Sequence, residues 1–167
     1  AEGQTAASTI GRVEIQTGKT GTVNIGGTDN NVVSMNAYAG KTQITGTGVT
    51  MTKLSVKNGA AVSIAEGASL TATELELATT LENKGTLSLS KLKVENLGGF
   101  PMTPGAGATY SDGNDETQND ENGYLTGTSV YEIIKNTGTL NDSGVTLSGA
   151  AATGATYAAG QLTLTTT

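Results

Sequence analysis

Lys53-Leu54-Ser55-Val56-Lys57-Asn58 returns as Lys91-Leu92-Lys93-Val94-Glu95-Asn96, 38 residues further along the chain. Halfway between, at a shift of 19, stands Thr73-Glu74-Leu75-Glu76-Leu77, with the same alternation of apolar and polar positions. A strand that recurs at a fixed period is the mark of a chain coiling on itself, each turn burying its apolar face against the next. The expected fold is all-β, a parallel β-solenoid (β-helix) with rungs of about 19 residues. In that register Leu54, Thr73 and Leu92 form one inward column, and Val56, Leu75 and Val94 another. The outward columns Ser55-Glu74-Lys93 and Lys57-Glu76-Glu95 bring Glu74 beside Lys93 and Glu76 beside Lys57 across a strand spacing of about 4.8 Å. Glu76 beside Glu95 is an unfavourable neighbour. Such exposed pairs mark register more than they stabilise, at tenths of a kcal/mol to about 1. Asn58, Leu77 and Asn96 would place asparagines at a corner, where stacked amides or turn bonds satisfy them.

Alternation extends along most of the chain, and glycine interrupts almost every window long enough for a helix. Strands are expected at 12–16, 22–25, 32–36, 42–45, 49–56, 61–64, 69–77, 86–95, 129–134, 144–147 and 161–165. They are short and rich in Val, Ile, Leu and Thr, with turn residues such as Gly26-Gly27 and Asn58-Gly59 between them. A second phrase, Leu81-Glu82-Asn83-Lys84-Gly85-Thr86-Leu87, is echoed by Ile134-Lys135-Asn136-Thr137-Gly138-Thr139-Leu140. Val56-Lys57-Asn58-Gly59 is a looser version, one residue shorter. Asn and Gly permit the positive-φ geometry of a tight turn, and Thr-Leu opens the next strand. The rival architecture is a β-sandwich, pilin-like subunit with a donated terminal strand. In it strands would pair antiparallel and the period would be accidental.

Asn-x-Gly-Thr-Leu phrases in a Thr/Ser/Gly-rich, Cys-free chain resemble the passenger β-helices of bacterial autotransporters and filamentous-haemagglutinin-type surface proteins. The resemblance covers roughly 12–96 and 130–147. It implies secretion, a right-handed parallel β-helix and an adhesive or structural role, and it carries no catalytic motif onto any residue here. The chain departs from that pattern in its shortness and in a long interruption.

Residues 1–167 read as a single all-β domain with two irregular parts. The interruption, 98–127, opens with Gly98-Gly99-Phe100-Pro101-Met102-Thr103-Pro104 and continues into an acidic Gly/Asn-rich loop with no core-strand pattern. The other part, 149–167, is a flexible small-residue segment followed by the alternating strand Gln161-Leu162-Thr163-Leu164-Thr165. That strand either pairs within its own domain or is donated to a neighbouring subunit.

Composition narrows function by exclusion. Hydrophobic residues are 35% of the chain and charged residues 14%, too few charges and too much patterning for a disordered segment. The net charge of −6, with nine basic residues scattered singly, argues against nucleic acid and anionic membrane. No apolar run approaches the roughly 20 residues of a membrane helix, so no membrane insertion is expected. Cysteine and histidine are both absent, which removes disulfides, thiolate metal sites, the commonest general base and the commonest transition-metal ligand. The start at Ala1-Glu2-Gly3 suits an exported protein after removal of a signal peptide.

The chemistry-bearing clusters are few. Asp112, Asp115, Glu116, Asp120 and Glu121 could surround Ca²⁺, but their spacing fits no Asp-x-Asp-x-Asp-Gly loop, and the segment reads as a solvated surface loop. Glu74 and Glu76 share a strand face, as paired carboxylates of a polysaccharide-active enzyme would, yet each has a cationic neighbour and no aromatic platform. Flat Thr-rich strand faces could in principle bind ice, but no regular Thr-x-Thr ladder is seen across the rungs. No catalytic, cofactor-binding or metal-binding residue is assigned, and no cofactor is expected. The expectation is an extracellular, cell-surface structural protein. It would be a homo-oligomer or filament, self-associating through its solenoid ends or terminal strand into a fibre or coat. The alternative is an adhesin that holds a glycan or host protein through the 100–123 loop, and a polysaccharide-active enzyme ranks below both.

Overall fold

Short runs of β-branched and aliphatic residues, cut by glycine every few positions, have one way to bury a continuous face, which is to stack. The computed structural model describes residues 9–16, 22–95, 97–104, 109–111, 124–149 and 155–166. It is all-β, a parallel sheet stacked as a β-solenoid of about four turns. The strands are β1 (Thr9–Gln16), β2 (Thr22–Ile25), β3 (Asn31–Ile44), β4 (Val49–Val56), β5 (Ala60–Ile64), β6 (Ser69–Leu77), β7 (Leu81–Asn83) and β8 (Thr86–Val94). There follow β9 (Met102–Pro104), β10 (Thr109–Ser111), β11 (Tyr124–Glu132), β12 (Ile134–Asn136), β13 (Thr139–Asn141), β14 (Thr146–Gly149), β15 (Ala155–Ala158) and β16 (Gln161–Thr166). Among the described residues the helical content is one 3-10 turn, Leu97–Gly99.

One side of the coil is built by β1, β3, β4, β6 and β8, with β13 and β14 side by side on β8. The other side stacks β2, the second half of β3, β5, β7 and β12. The expected strands 32–36 and 42–45 are thus one strand, β3, passing through both sides. On the first side each strand bends where two successive side chains face outward: Thr52-Lys53, Thr73-Glu74 and Ser90-Lys91. Their flanking residues Met51, Leu54, Ala72, Leu75, Leu89 and Leu92 are all buried. A rung therefore has three faces, which in the β4–β5 rung are 49–52, 53–56 and 60–64.

The shift of 38 survives, but its midpoint moves. Leu54 pairs with Leu75 and Leu75 with Leu92, so the two rungs are 21 and 17 residues. The rung below, Met35 to Leu54, is 19. The inward columns are Val13-Met35-Leu54-Leu75-Leu92-Leu147 and Ile15-Ala37-Val56-Leu77-Val94. Thr73 is exposed, not inward. Glu74 lies between Lys53 and Lys91, and Glu76 between Ser55 and Lys93, so the expected Glu74–Lys93 pair does not form by register. A slip of two residues returns every side chain to the same face, so the hydrophobic pattern cannot oppose it. Chain length at the corners decides instead. β7 is two residues shorter than β5, and the corner after β7 (84–85) is two shorter than that after β5 (65–68).

The second phrase has a sharper meaning than its irregular spacing suggests. Ile134, Lys135, Asn136, Thr139 and Leu140 lie on Leu81, Glu82, Asn83, Thr86 and Leu87, so the two copies are the same corner on successive rungs. Asn83 is fully buried there. Its amide donates to Asn136 Oδ1 (2.8 Å) and to the Thr139 carbonyl (2.9 Å), and its Oδ1 accepts the Gly85 N–H (3.2 Å). The stacked asparagines are therefore Asn83 and Asn136. Asn58 lies exposed in the turn after β4, Leu77 stacks on Val56, and Asn96 is outside the described residues. Glycine is required at this corner by space: a Cβ on Gly85 would lie 2.3 Å from the Ala68 carbonyl oxygen.

The interruption differs from a featureless loop. β9 and β10 form within it, and β11 begins at Tyr124, all pairing antiparallel. Phe100, Ile133 and Leu162 join the buried core of the solenoid. The terminal strand β16 is antiparallel to β11 on one edge and to β15 on the other, so it pairs within the chain. The β15–β16 hairpin turns on Ala159 (φ 50°) and Gly160 (φ 84°), both positive as a type I′ turn demands. The Gly160 carbonyl then accepts the N–H groups of Ile133 and Ile134, both at 2.9 Å, which anchors the hairpin to the last rung.

Candidate functional site

The second face carries the charges. Its outward columns are Ser34-Lys53-Glu74-Lys91 and Asn36-Ser55-Glu76-Lys93. Glu76 is 7% exposed, rare for an outward glutamate, and it is paired: Lys53 Nζ lies at 3.2 Å and Lys57 Nζ at 3.4 Å. Lys57 also meets Glu95 at 2.5 Å. The expected Lys57–Glu76 contact therefore forms, although Lys57 reaches it along the corner and not through the expected column. Lys57 also bridges Glu76 and Glu95, the neighbours expected to repel. The adjacent Glu95 carboxyl, followed by the ammonium of Lys53 and that of Lys57, holds the Glu76 carboxyl down at about 2 against the opposing pull of desolvation.

The sign of that shift fixes a pH dependence. The folded state depresses the Glu76 pKa below its ordinary value of 4.5, so the stabilisation is present above that value and is lost as pH falls toward about 2. Glu76→Gln is expected to be less stable than the parent at neutral pH, the gap narrowing below pH 4.5 as the parent loses its charge. Chemical denaturation of both proteins between neutral pH and pH 2.5 measures it. A gap that is constant with pH would remove the ionic explanation.

The first face is different in kind. Thr9, Asn31, Thr50, Thr71, Ser88 and Asn141 form one outward column, linked by parallel pairing at every step. Beside it, two residues along each strand, stand Gly11, Val33, Thr52, Thr73 and Ser90. Hydroxyl residues that a uniform period of 19 misaligns therefore stack on this face: Thr50, Thr71 and Ser88 pair in register on successive rungs, and Thr52, Thr73 and Ser90 stand two residues further along, at the bend where the pairing skips a residue. The phrases are plain in the sequence, and shifts of 21 and 17 would have aligned them.

On the third face a groove of about 480 Å³ is lined by Lys41, Gln43, Ala61, Ser63, Thr80 and Glu82. In its lining Glu82 has Lys84 at 3.6 Å, and the Thr80 hydroxyl donates to the Glu132 carbonyl (2.8 Å). A smaller cavity of about 280 Å³ adjoins Asp142, Gly144 and Tyr157. Burial, with Asp142 alongside, raises the Tyr157 phenol, which accepts the Gly160 N–H at 3.1 Å. Its place is in the hairpin anchor.

Glu74 and Glu76, the carboxylates considered for sugar chemistry, are both flanked by lysines on adjacent rungs, and Glu76 has little solvent access. Among the described residues no three His, Cys, Asp or Glu side chains converge to hold a metal ion. The acidic cluster of Asp112, Asp115, Glu116, Asp120 and Glu121 lies outside the described residues, as does most of the 100–123 segment considered for adhesion.

Among the described residues no strand pairs with the outer edges of β1 and β2 at one end of the stack, or of β12, β13 and β14 at the other. No helix is long and apolar enough to cross a membrane among the described residues. Compared with protein-family models, with curated proteins and with solved structures, the chain matches none.

Proposed function

We propose that this is a secreted structural surface protein whose solenoid associates end to end into an extracellular fibre or coat. The observation that carries this reading is that the inward columns run to both ends of the stack and stop at edges with no strand partner among the described residues. Ile10 shows the effect. It heads the column Ile10-Val32-Met51, in which Val32 and Met51 are each 2% exposed, yet Ile10 itself is 48% exposed. Leu140 and Leu147, at the other end, are half-buried. Edges of this kind are normally protected by charged side chains or proline; β2, β13 and β14 contain neither, while β1 carries Arg12 and Glu14 and β12 carries Lys135. A second copy placed in register would bury Ile10 and continue the parallel ladder. The resemblance of the Asn-x-Gly-Thr-Leu phrases to secreted passenger β-helices supports the extracellular location.

Negative-stain electron microscopy and sedimentation of the purified chain test this, with elongated assemblies expected to grow with concentration. Ile10→Lys, at a half-exposed position, is expected to keep the fold and dissolve the assemblies, because an ammonium in that column would be buried unpaired. Monodisperse particles of the parent at high concentration would sink the proposal.

A further inference from the structure

The ladder on the first face goes beyond a scaffold role, and its position on the side of the coil makes it independent of the end contacts. We propose that this face binds ice, the hydroxyl and methyl groups of Thr50, Thr52, Thr71 and Thr73 forming the centre of the contact. Four observations lead there.

The geometry is a short two-column grid, one column in the paired strands and the other at their bend. Parallel strands set the columns about 4.8 Å apart from rung to rung, and alternate residues along a strand stand about 6.6 Å apart. Both repeats are close to oxygen–oxygen repeats in the surface planes of hexagonal ice, so one plane can meet many side chains at once. The chemistry also fits. Threonine presents a hydroxyl to join a water lattice and a methyl to fill the gap beside it, on a stiff χ1 that keeps both in place. All four threonines are exposed.

Part of the grid is ordered in advance. The Asn31 amide donates to Thr50 Oγ1 (2.7 Å) and the Asn141 amide to Ser88 Oγ (3.2 Å), so the same column is held near both ends by fixed donors. Beneath it Met51, Ala72 and Leu89 are buried, giving the strands a packed backing. A surface already ordered loses less entropy when it orders water.

The charge distribution selects the occupant. Neither column contains a charged residue. The next column round the bend holds Arg12, Lys53, Glu74 and Lys91, and the Lys53 ammonium is drawn away from the ladder by Glu76 at 3.2 Å. An ice lattice excludes ions, and a neutral face is its electrostatic complement. An anionic or cationic polymer would find nothing on this face to pair with.

The test uses the purified full chain. Ice-recrystallisation inhibition and incorporation into a slowly growing ice hemisphere are measured for the parent, Thr71→Lys, Thr71→Ser/Thr73→Ser and the adjacent-face control Lys93→Ala, with circular dichroism and thermal midpoint recorded for each. The parent and Lys93→Ala are expected to enter ice and to inhibit recrystallisation equally. Thr71→Lys is expected to lose about tenfold or more in activity without change of fold, because a strongly hydrated charge would have to be stripped at the contact. The double serine variant, with hydroxyls kept and methyls removed, is expected to fall between the two. A parent excluded from ice, or a Thr71→Lys protein as active as the parent, would overturn the proposal. So would retention on microcrystalline cellulose without effect on ice, or self-association that Thr71→Lys abolishes, since these assign the face to a polysaccharide or to a second copy.

Discussion

Leu75→Ala should cost about 3–5 kcal/mol of folding stability, the range for removing a large aliphatic side chain from a site that cannot collapse around the gap. Leu75 has no solvent exposure and is clamped in its column by Leu54 below and Leu92 above, also without exposure. The parallel ladder fixes those rungs in place, so the cavity stays open. For a chain of this size the loss corresponds to a drop in thermal midpoint on the order of 10 °C. Thr73→Ala is the companion measurement, since that residue is exposed in the observed register but inward under a uniform period of 19. Its cost should stay within about 0.5 kcal/mol, as at ordinary surface positions. Equilibrium denaturation of the two variants, side by side, reads the register directly. A larger loss at Thr73 than at Leu75 would refute it.

Gly85→Ala should be comparably damaging for an unrelated reason. The added methyl would lie 2.3 Å from the Ala68 carbonyl oxygen and 2.4 Å from that of Ala65. Both contacts are backbone, and both neighbours are tied in place: Thr86 N–H donates to the Ala68 carbonyl at 3.0 Å, and Ala68 N–H to that of Ala65 at 3.0 Å. Relief requires the rungs to part at the corner where Asn83 makes its three buried hydrogen bonds. The expected cost is about 3 kcal/mol, at the upper end for overpacking. Gly11→Ala is the control, since a methyl there meets nothing within 4 Å, and it should be neutral. Near-equal denaturation midpoints for the two alanine variants would show that the corner is far softer than its geometry indicates.

The architecture was legible because burial writes itself into sequence with period two. The alternation alone turns Leu54, Val56, Leu92 and Val94 inward, where the structure has them, and the 38-residue shift joins rungs that are two turns apart. The middle rung was misplaced because Thr73-Glu74-Leu75-Glu76-Leu77 keeps its alternation under a two-residue slip. The charges could not correct the error, because Lys57 reaches Glu76 along the corner in the true register as well. Misplacing that rung also hid the hydroxyl ladder, whose three phrases align only at shifts of 21 and 17. The antiparallel sheet of β9, β10, β11, β15 and β16 was hidden for another reason. Apart from the local β15–β16 hairpin, its pairings join β11 to β9 and β16 from distant parts of the chain, and such pairing leaves no local period. Gly85 and Gly138 looked like turn formers, whereas Gly85 is held by a close approach between backbones that belongs to no single rung.

The unequal rungs have a consequence for how such a chain can vary. A rung two residues long is followed by one two residues short, and the side chains beyond them regain the phase of a regular coil. The corners thus act as a buffer of parity: an insertion of two at one bend, cancelled by a loss of two at the next, leaves the core unaltered. What moves is the outer decoration, carried sideways by one step of the grid. Sequences descended from a common coil could then keep the same interior while offering different external patterns. A comparison of relatives that assumes a constant repeat would miss their kinship.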